Sequence, residues 1–378
     1  MFKYIPFDRV IWPTTIFLFG TLILALTAVP VYVYFQGIDL FMLGLLLFYI
    51  TATAMSITLG YHRLFSHLAF KAKFPVKLFV TLFGAAAWEN SVIDWTSDHR
   101  RHHKHVDHDE DPYNINNGFW YAHMGWMLFK LRPKPPMDNV YDLRKDPLLV
   151  WQHKYVHVIA VLVGFVLPAI IAGLYYGTWM GALGGFLIAG ILRTVIVQHC
   201  TFFINSACHY FGSQPYSSKH SARDSWIMAL LTFGEGYHNF HHEFQHDYRN
   251  GVKSWQWDPT KWAIWLLAKV GMASGLRRVS DARILMAEIQ ETKLKIDHGL
   301  EVAMAKADWA HTASEQLKKS VDYLSKASDE FSIHYTELER AVSDKVKLSR
   351  KKVDEWRHDI QKALDHLEVL YSCRLSAA

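Results

Sequence analysis

Cysteine is nearly absent. The 378 residues hold only Cys200, Cys208 and Cys373, an odd and scattered set that excludes a disulfide framework and, with no CxxC spacing, an iron–sulfur cluster of the chain's own. Charge is missing from long stretches: residues 11 to 35 carry none, residues 38 to 60 only Asp39, and residues 155 to 210 only Arg193. Proline does not occur beyond Pro259, and beyond Gly275 the one glycine is Gly299, which excludes a Pro/Gly-rich linker and leaves the tail free to form long helices. A secretory signal peptide pattern is also lacking, because the first apolar segment is long and runs straight into a second; it is expected to stay as an anchor. No aromatic or Gly-rich nucleic-acid module accompanies the net charge of +5, so nucleic acid is not an expected partner.

The uncharged stretches are long enough for helices of about 20 residues that cross a bilayer. Spans are expected at roughly 13 to 35, 39 to 60, 156 to 176 and 179 to 204, forming two hairpins with turns at Gln36-Gly37-Ile38-Asp39 and Tyr176-Gly177-Thr178-Trp179. Neither turn holds Lys or Arg, whereas residues 60 to 154 hold thirteen. The positive-inside rule therefore places the intervening segment on the cytoplasmic side. The apolar run 75 to 88 is too short to span and is expected at the interface. Residues 281 to 378 carry 16 Lys+Arg against 18 Asp+Glu, so the basic excess belongs to the membrane part, where it suits anionic lipid or an anionic head group.

Histidine is concentrated between those spans. Eight fall in three clusters, His62 and His67, then His99, His102 and His103, then His238, His241 and His242. Residues three and four apart share a helix face, so each HxxHH triplet is expected to converge as one ligand set, while His62 and His67, five apart, are expected to straddle a helix end. A structural zinc is closed by four ligands; eight imidazoles supply two ions, and a pair with open positions is what oxygen activation requires. Imidazole sites suit iron, copper, zinc or nickel. The expected fold is therefore an all-α integral membrane protein of four transmembrane helices in two hairpins, with a cytosolic helical cap carrying a histidine-rich dinuclear site over residues 1 to 280 and a helical extension over 281 to 378.

In that extension Leu317, Val321, Leu324, Phe331, Tyr335, Leu338, Val342, Val346, Val353, Trp356 and Ile360 recur at three- and four-residue steps, with a stutter near Val342. Two readings fit, a coiled coil for docking or self-association and an amphipathic hairpin folded back on its own domain.

The motifs HRLFSH at 62 to 67, DHRRHH at 98 to 103 followed by DPYN at 111 to 114, NSACH at 205 to 209, and GEGYHNFHH at 234 to 242 followed by DYRNG at 247 to 251 occur in an order that resembles the membrane fatty-acyl desaturases. The HxxxxH spacing of the first box and the retained His238 of the last are similar to the stearoyl-CoA (Δ9) branch, bacterial members included. The resemblance covers roughly residues 10 to 280. It implies two iron ions held by His62, His67, His99, His102, His103, His238, His241 and His242 together with a ninth ligand, His209, and with Asn205 approaching one ion through water. It implies substrate contacts at Asn90, Trp95 and Asp98 near the thioester and pantetheine, and at Thr201 and Phe202 near the acyl channel. The implied reaction places a cis double bond at carbon 9 of saturated C16 and C18 acyl-CoA, using O₂ and a separate electron donor of ferredoxin, rubredoxin or cytochrome b5 type, in a multi-pass protein of a bacterial inner membrane with its site on the cytoplasmic side. Ser97 stands where the animal enzymes have arginine, and Phe202 where they have tryptophan, so acyl chains bound to lipid or carrier protein are an alternative substrate. Asp98, Asp107 and Glu235 are candidates to orient the imidazoles.

Two rivals come from other classes. His242-Glu243-Phe244-Gln245-His246 matches the HExxH pattern of a membrane zinc protease, and the clusters alone would also serve metal binding or transport without catalysis. His105 and His108 lie in a charged loop, His199 lies inside an apolar helix, and His123, His153, His157 and His220 lack partners at metal spacing; all seven are expected to be structural.

Overall fold

The computed structural model describes residues 7–131, 136–305, 315–344, 346 and 348–375. They group into two compact units, Met1–Ser213 with His220–Arg278, and Gln214–Lys219 with Val279–Ala378.

Among the described residues of the first unit are four helices long and apolar enough to cross a membrane: α1 Trp12–Gln36, α2 Leu40–Ser66, α5 Pro147–Tyr176 and α6 Trp179–His209. Between them lie α3 Phe74–Ala86 and α4 Val92–His105, and after them α7 Trp226–Leu231, α8 His238–Glu243 and α9 Pro259–Lys269. All four expected spans are present. Three reach further than expected, α2 to Ser66, α5 back to Pro147 and α6 to His209. Each continues as helix beyond its apolar run, and α2 and α6 thereby carry histidines out of the apolar layer. The short apolar run forms α3, a separate helix too short to span.

Local chemistry sets the helix ends. Asp39 accepts the Met42 amide at 2.9 Å and Thr178 the Gly181 amide at 3.0 Å, capping α2 and α6, while Gly177 closes α5 in the left-handed conformation with φ 65°. Inside α1 the chain departs from helix at Thr27, one turn before Pro30, which has no N–H to return to the Leu26 carbonyl. The two hairpin turns meet: Tyr176 Oη donates to Asp39 at 2.6 Å, and Tyr32 Oη to the Met180 carbonyl at 3.1 Å. Arg193, fully buried in α6, donates to the carbonyls of Ala86, Gly164 and Ala189 at 2.6, 2.8 and 3.2 Å. It ties α3 and α5 to α6, which explains how an ion is tolerated within an apolar span.

The second unit has its own apolar core. Helices α10 Asp281–Met304, α11 Glu315–Ser343 and α12 Arg350–Leu375 pack through Leu285, Ile289, Leu324, Phe331, Leu338 and Trp356. Ten of the eleven periodic apolar residues lie in or against this core, and the exception, Val346, is 57% exposed in the break between α11 and α12 that the stutter marks. Within this unit the apolar stripes of the three helices face one another. The Cys373 side chain lies outside the described residues.

Candidate metal centre

Four pieces of the first unit bring the histidines together. The last part of α2, Ser56–Ser66, is wound wide, with π-type bonds, and the His67 amide donates to the His62 carbonyl five residues back at 3.1 Å. A π-turn sets residues five apart nearly one above the other, so His62 and His67 act as a pair although an α-helix would separate them. His99, His102 and His103 come from α4, His238, His241 and His242 from α8, and His209 from the tight turn that ends α6.

The nine imidazoles form two groups, each with nitrogens within 4.8 Å of one another: His62, His67, His99, His103 and His241, and His102, His209, His238 and His242. This corrects the reading of each triplet as one ligand set. On α4 the i, i+4 pair His99 and His103 serves the first group and His102 the second; on α8 the pair His238 and His242 serves the second and His241 the first. A helix pointed between two centres sends its i and i+4 side chains to one side and the i+3 side chain, some 60° away around the axis, to the other. Each box therefore crosses over once.

The nitrogens that face inward are Nε2. They approach at 2.9 Å for His62 and His241, 2.8 Å for His67 and His99, 2.9 Å for His241 and His103, 3.2 Å for His102 and His242, and 3.1 Å for His209 and His238. Burial, and then the neighbouring imidazoles, holds His67, His99, His103, His238, His241 and His242 well below the ordinary imidazole pKa. They are neutral at pH 7, with a lone pair each to offer.

The outer nitrogens show which tautomer is present. Glu235 Oε2 lies 2.8 Å from His62 Nδ1, and Asp111 Oδ1 2.9 Å from His102 Nδ1. Ser221 Oγ lies 2.7 Å from His209 Nδ1 and donates its own proton to Asp107 at 2.5 Å, so it accepts from the imidazole. Protons are thus held on the outer Nδ1 of these three rings, and their Nε2 lone pairs point inward at other Nε2 atoms. Lone pairs about 3 Å apart repel unless a proton or a cation lies between them. This donor set fits two metal ions.

Of the expected orienting carboxylates, Glu235 acts directly, Asp107 acts through Ser221, and Asp98 lines the adjacent cavity. Asp111 and Ser221 were missed. Asp111 stands within the DPYN motif, but nothing in its spacing announces that the chain turns back to reach His102; Ser221 has no sequence signal. Glu235 is itself restrained: burial would raise its carboxyl, but buried Arg63, which donates to it at 2.8 Å, and His62 outweigh that and hold it at about 2. Replacing Asp111 with Asn is expected to weaken metal binding at the His102 position by about 10- to 100-fold, checked by metal retention against a chelator, because the amide cannot hold the Nδ1 proton by charge.

Beside the histidines opens a cavity of about 550 Å³, whose wall includes His62, His99 and His238. Asn90, Trp95, Asp98, Thr201, Phe202 and Asn205, the positions expected near substrate or metal, all line it. Trp95 stacks on His99 with ring centroids 4.7 Å apart. Ser97 points elsewhere: its hydroxyl donates to Asn139 Oδ1 at 2.8 Å, and Asn139 Nδ2 donates to its carbonyl at 2.8 Å. It pins a loop and is not among the residues that line the cavity.

The HExxH arrangement is not formed. α8 ends at Glu243, Phe244 leaves the helical conformation, and His246 Nδ1 lies 2.8 Å from the His67 carbonyl. His246 belongs to neither nitrogen group. Of the histidines expected to be structural, His123 pairs with His199 at 3.1 Å and with Ser206 at 3.0 Å. His220 comes nearer the site than expected, its ring 5.1 Å from that of His242.

Comparison with known proteins places residues 39–265 under the family model described as fatty acid desaturase. "Acyl-CoA desaturase 1" of Saccharomyces cerevisiae is 43% identical over 263 residues, which is 69% of this chain and 50% of the yeast protein. "Probable acyl-CoA desaturase" of Schizosaccharomyces pombe is 42% identical over 262 residues, 69% of this chain and 53% of the relative. "Stearoyl-CoA desaturase" of Homo sapiens is 35% identical over 250 residues, 65% of this chain and 68% of the relative. The chain's match spans about half the length of the two yeast proteins.

Proposed function

The chain belongs to the fatty acid desaturase family, and from that premise we propose that it is an oxygen-dependent, di-iron acyl-CoA desaturase placing a cis double bond at carbon 9 of saturated C16 and C18 chains. The observation that carries this reading is the division of nine inward-facing imidazoles into groups of five and four at the wall of a closed-in cavity. The ligands would be His62, His67, His99, His103 and His241 for one ion and His102, His209, His238 and His242 for the other, with Asn205 approaching one of them through water. Iron bound there would activate O₂ as the oxidant that breaking an unactivated C–H bond requires, a power that no side-chain acid or base has.

The residues of the chain do the rest. Glu235, Asp111 and Ser221 hold Nδ1 protons so that the lone pairs stay inward, and Trp95, stacked on His99, forms a flat wall against which methylenes lie. Regioselectivity follows from the distance along the cavity between the thioester end, at Asn90 and Asp98, and the imidazoles. Residues of α1, α2, α4 and α6 form much of the cavity wall, and an acyl chain lying between them would displace water from the reacting carbons.

The relatives named above support acyl-CoA as the substrate, and the uncharged spans an integral membrane protein; the thirteen Lys and Arg of residues 60 to 154, against none in the two hairpin turns, favour a cytoplasmic face for the histidines. Electrons would come from a separate ferredoxin, rubredoxin or cytochrome b5. The bacterial inner membrane expected from the sequence finds no counterpart among these yeast and mammalian relatives.

Iron-loaded protein given an electron donor, O₂ and either stearoyl-CoA or saturated membrane lipid is expected to yield 9,10-cis product from the CoA ester. Mass spectrometry of the derivatised double bond reads its position; a hydroxylated product, or a bond counted from the methyl end, overturns the reading. His246→Ala is expected to keep both metal and turnover, since His246 donates from Nδ1 to the His67 carbonyl and belongs to neither nitrogen group.

A further inference from the structure

Glu89 is a carboxyl on the wall of the cavity, in the turn between α3 and α4, and among the described residues no Lys or Arg pairs with it. Its oxygens are occupied by neutral groups from two helices. Trp95 Nε1 of α4 donates to Oε2 at 3.2 Å, and Thr201 Oγ1 of α6 lies 2.8 Å from Oε1. Thr201 Oγ1 also lies 3.2 Å from the Val197 carbonyl.

That second partner gives the hydroxyl two complete arrangements. It donates to Glu89 when the carboxyl is ionised; when the carboxyl is neutral, it accepts the Glu89 proton and donates to Val197. Neither state leaves a buried polar atom without a partner. We propose that Glu89 is a specificity-determining residue that admits an apolar chain to the cavity in its neutral form and disfavours it when ionised. The proposal rests on the reading of this cavity as the acyl site.

The environment supports it. Burial lifts the Glu89 carboxyl to about 7, against the pull of the Thr201 and Trp95 hydrogen bonds. The titratable groups that sense its charge are Tyr61 of α2 and Cys200 of α6; Asp94 of α4 acts on the same Tyr61, and Asp98 of α4 and His157 of α5 share the cavity wall. A methylene chain laid against the carboxyl removes its remaining water, which penalises the charged form further. The neutral form, present below pH 7, therefore binds the chain, and affinity is lost as pH rises through 7. With a free-state value of about 7, the loss between pH 6 and pH 8 is about tenfold.

The test titrates stearoyl-CoA into full-length, oxidised, iron-loaded protein in nanodiscs without an electron donor, so that nothing turns over. Infrared difference spectra between pH 6 and pH 8 follow the carboxylic C=O band in parallel. The wild type is expected to bind about tenfold more weakly at pH 8, and Glu89→Gln to bind equally at both pH values and to lose the band. Thr201→Val removes a bond that favours the ionised form, so band and affinity should both titrate at higher pH. Titration of the ligand's own phosphates is common to all three proteins and cancels between them. A wild-type affinity independent of pH, or the same slope in Glu89→Gln, overturns the role of Glu89. If stearoyl-CoA binds at neither pH while the band still titrates, the acyl reading of the cavity fails, and the proposal with it.

Discussion

His102→Ala should leave the protein with about one iron per chain instead of about two, and with turnover below detection. His102 is the ligand that α4 sends across to the group of four, and a position with four imidazoles that loses one is left with three and an extra opening. Its loss also takes from the buried Asp111 carboxylate its contact with His102 Nδ1 at 2.9 Å, leaving it the amides of Tyr113 and Asp107 at 3.2 and 3.3 Å. His241→Ala takes a ligand from the group of five and leaves four, so this variant should retain more metal while also failing in turnover. Metal analysis beside single-turnover assays decides it. Full metal and activity in both variants would sink the two-centre assignment, and equal metal loss in both would sink the division into five and four.

The second large effect concerns stability. Asp258→Ala is expected to destabilise the fold by roughly 3–5 kcal/mol, seen as a lowered midpoint in thermal unfolding in detergent. Asp258 is fully buried and accepts from both terminal nitrogens of Arg63 at 3.1 Å and from the amides of Asn250, Gly251 and Lys261 at 2.8, 3.0 and 2.9 Å. Removing it leaves a buried guanidinium paired with Glu235 alone and three amides without acceptors, which water cannot reach cheaply. Because Glu235 also faces His62, the strain should reach the metal site as faster iron loss. Asp322→Ala, which breaks the exposed Asp322–Lys326 pair of α11, should leave the unfolding midpoint unchanged; a shift as large as that of Asp258→Ala would show that burial is not what gives the Arg63 network its weight.

Much of the molecule was legible before any coordinate. Long uncharged runs have one comfortable environment, so the spans at Trp12–Gln36, Leu40–Ser66, Pro147–Tyr176 and Trp179–His209 follow from composition, with errors only where helix outlasts apolarity. The HxxHH repeats and His62/His67 announced a polynuclear imidazole site because no ordinary surface or core role gathers so many rings. The resemblance added His209, and the structure brings it beside His238.

What stayed hidden shares one cause. Periodicity tells which side chains share a face, but the destination of a face depends on what stands opposite. That α4 and α8 each point between two centres, and so divide their triplets, is decided by their packing against α2 and the end of α6. Asp111 reaches His102 and Ser221 reaches His209 because loops return to the site, and Ser97 is held by Asn139 of another loop. The tail's stripe likewise specified an apolar contact without naming its partner, which proved to be the neighbouring helices of its own unit. Composition and spacing, being local, determined the membrane spans and eight of the nine imidazoles. Only the tertiary structure decided which donor serves which ion and which carboxyl holds each ring, because those choices are made between residues brought together by packing from distant parts of the chain.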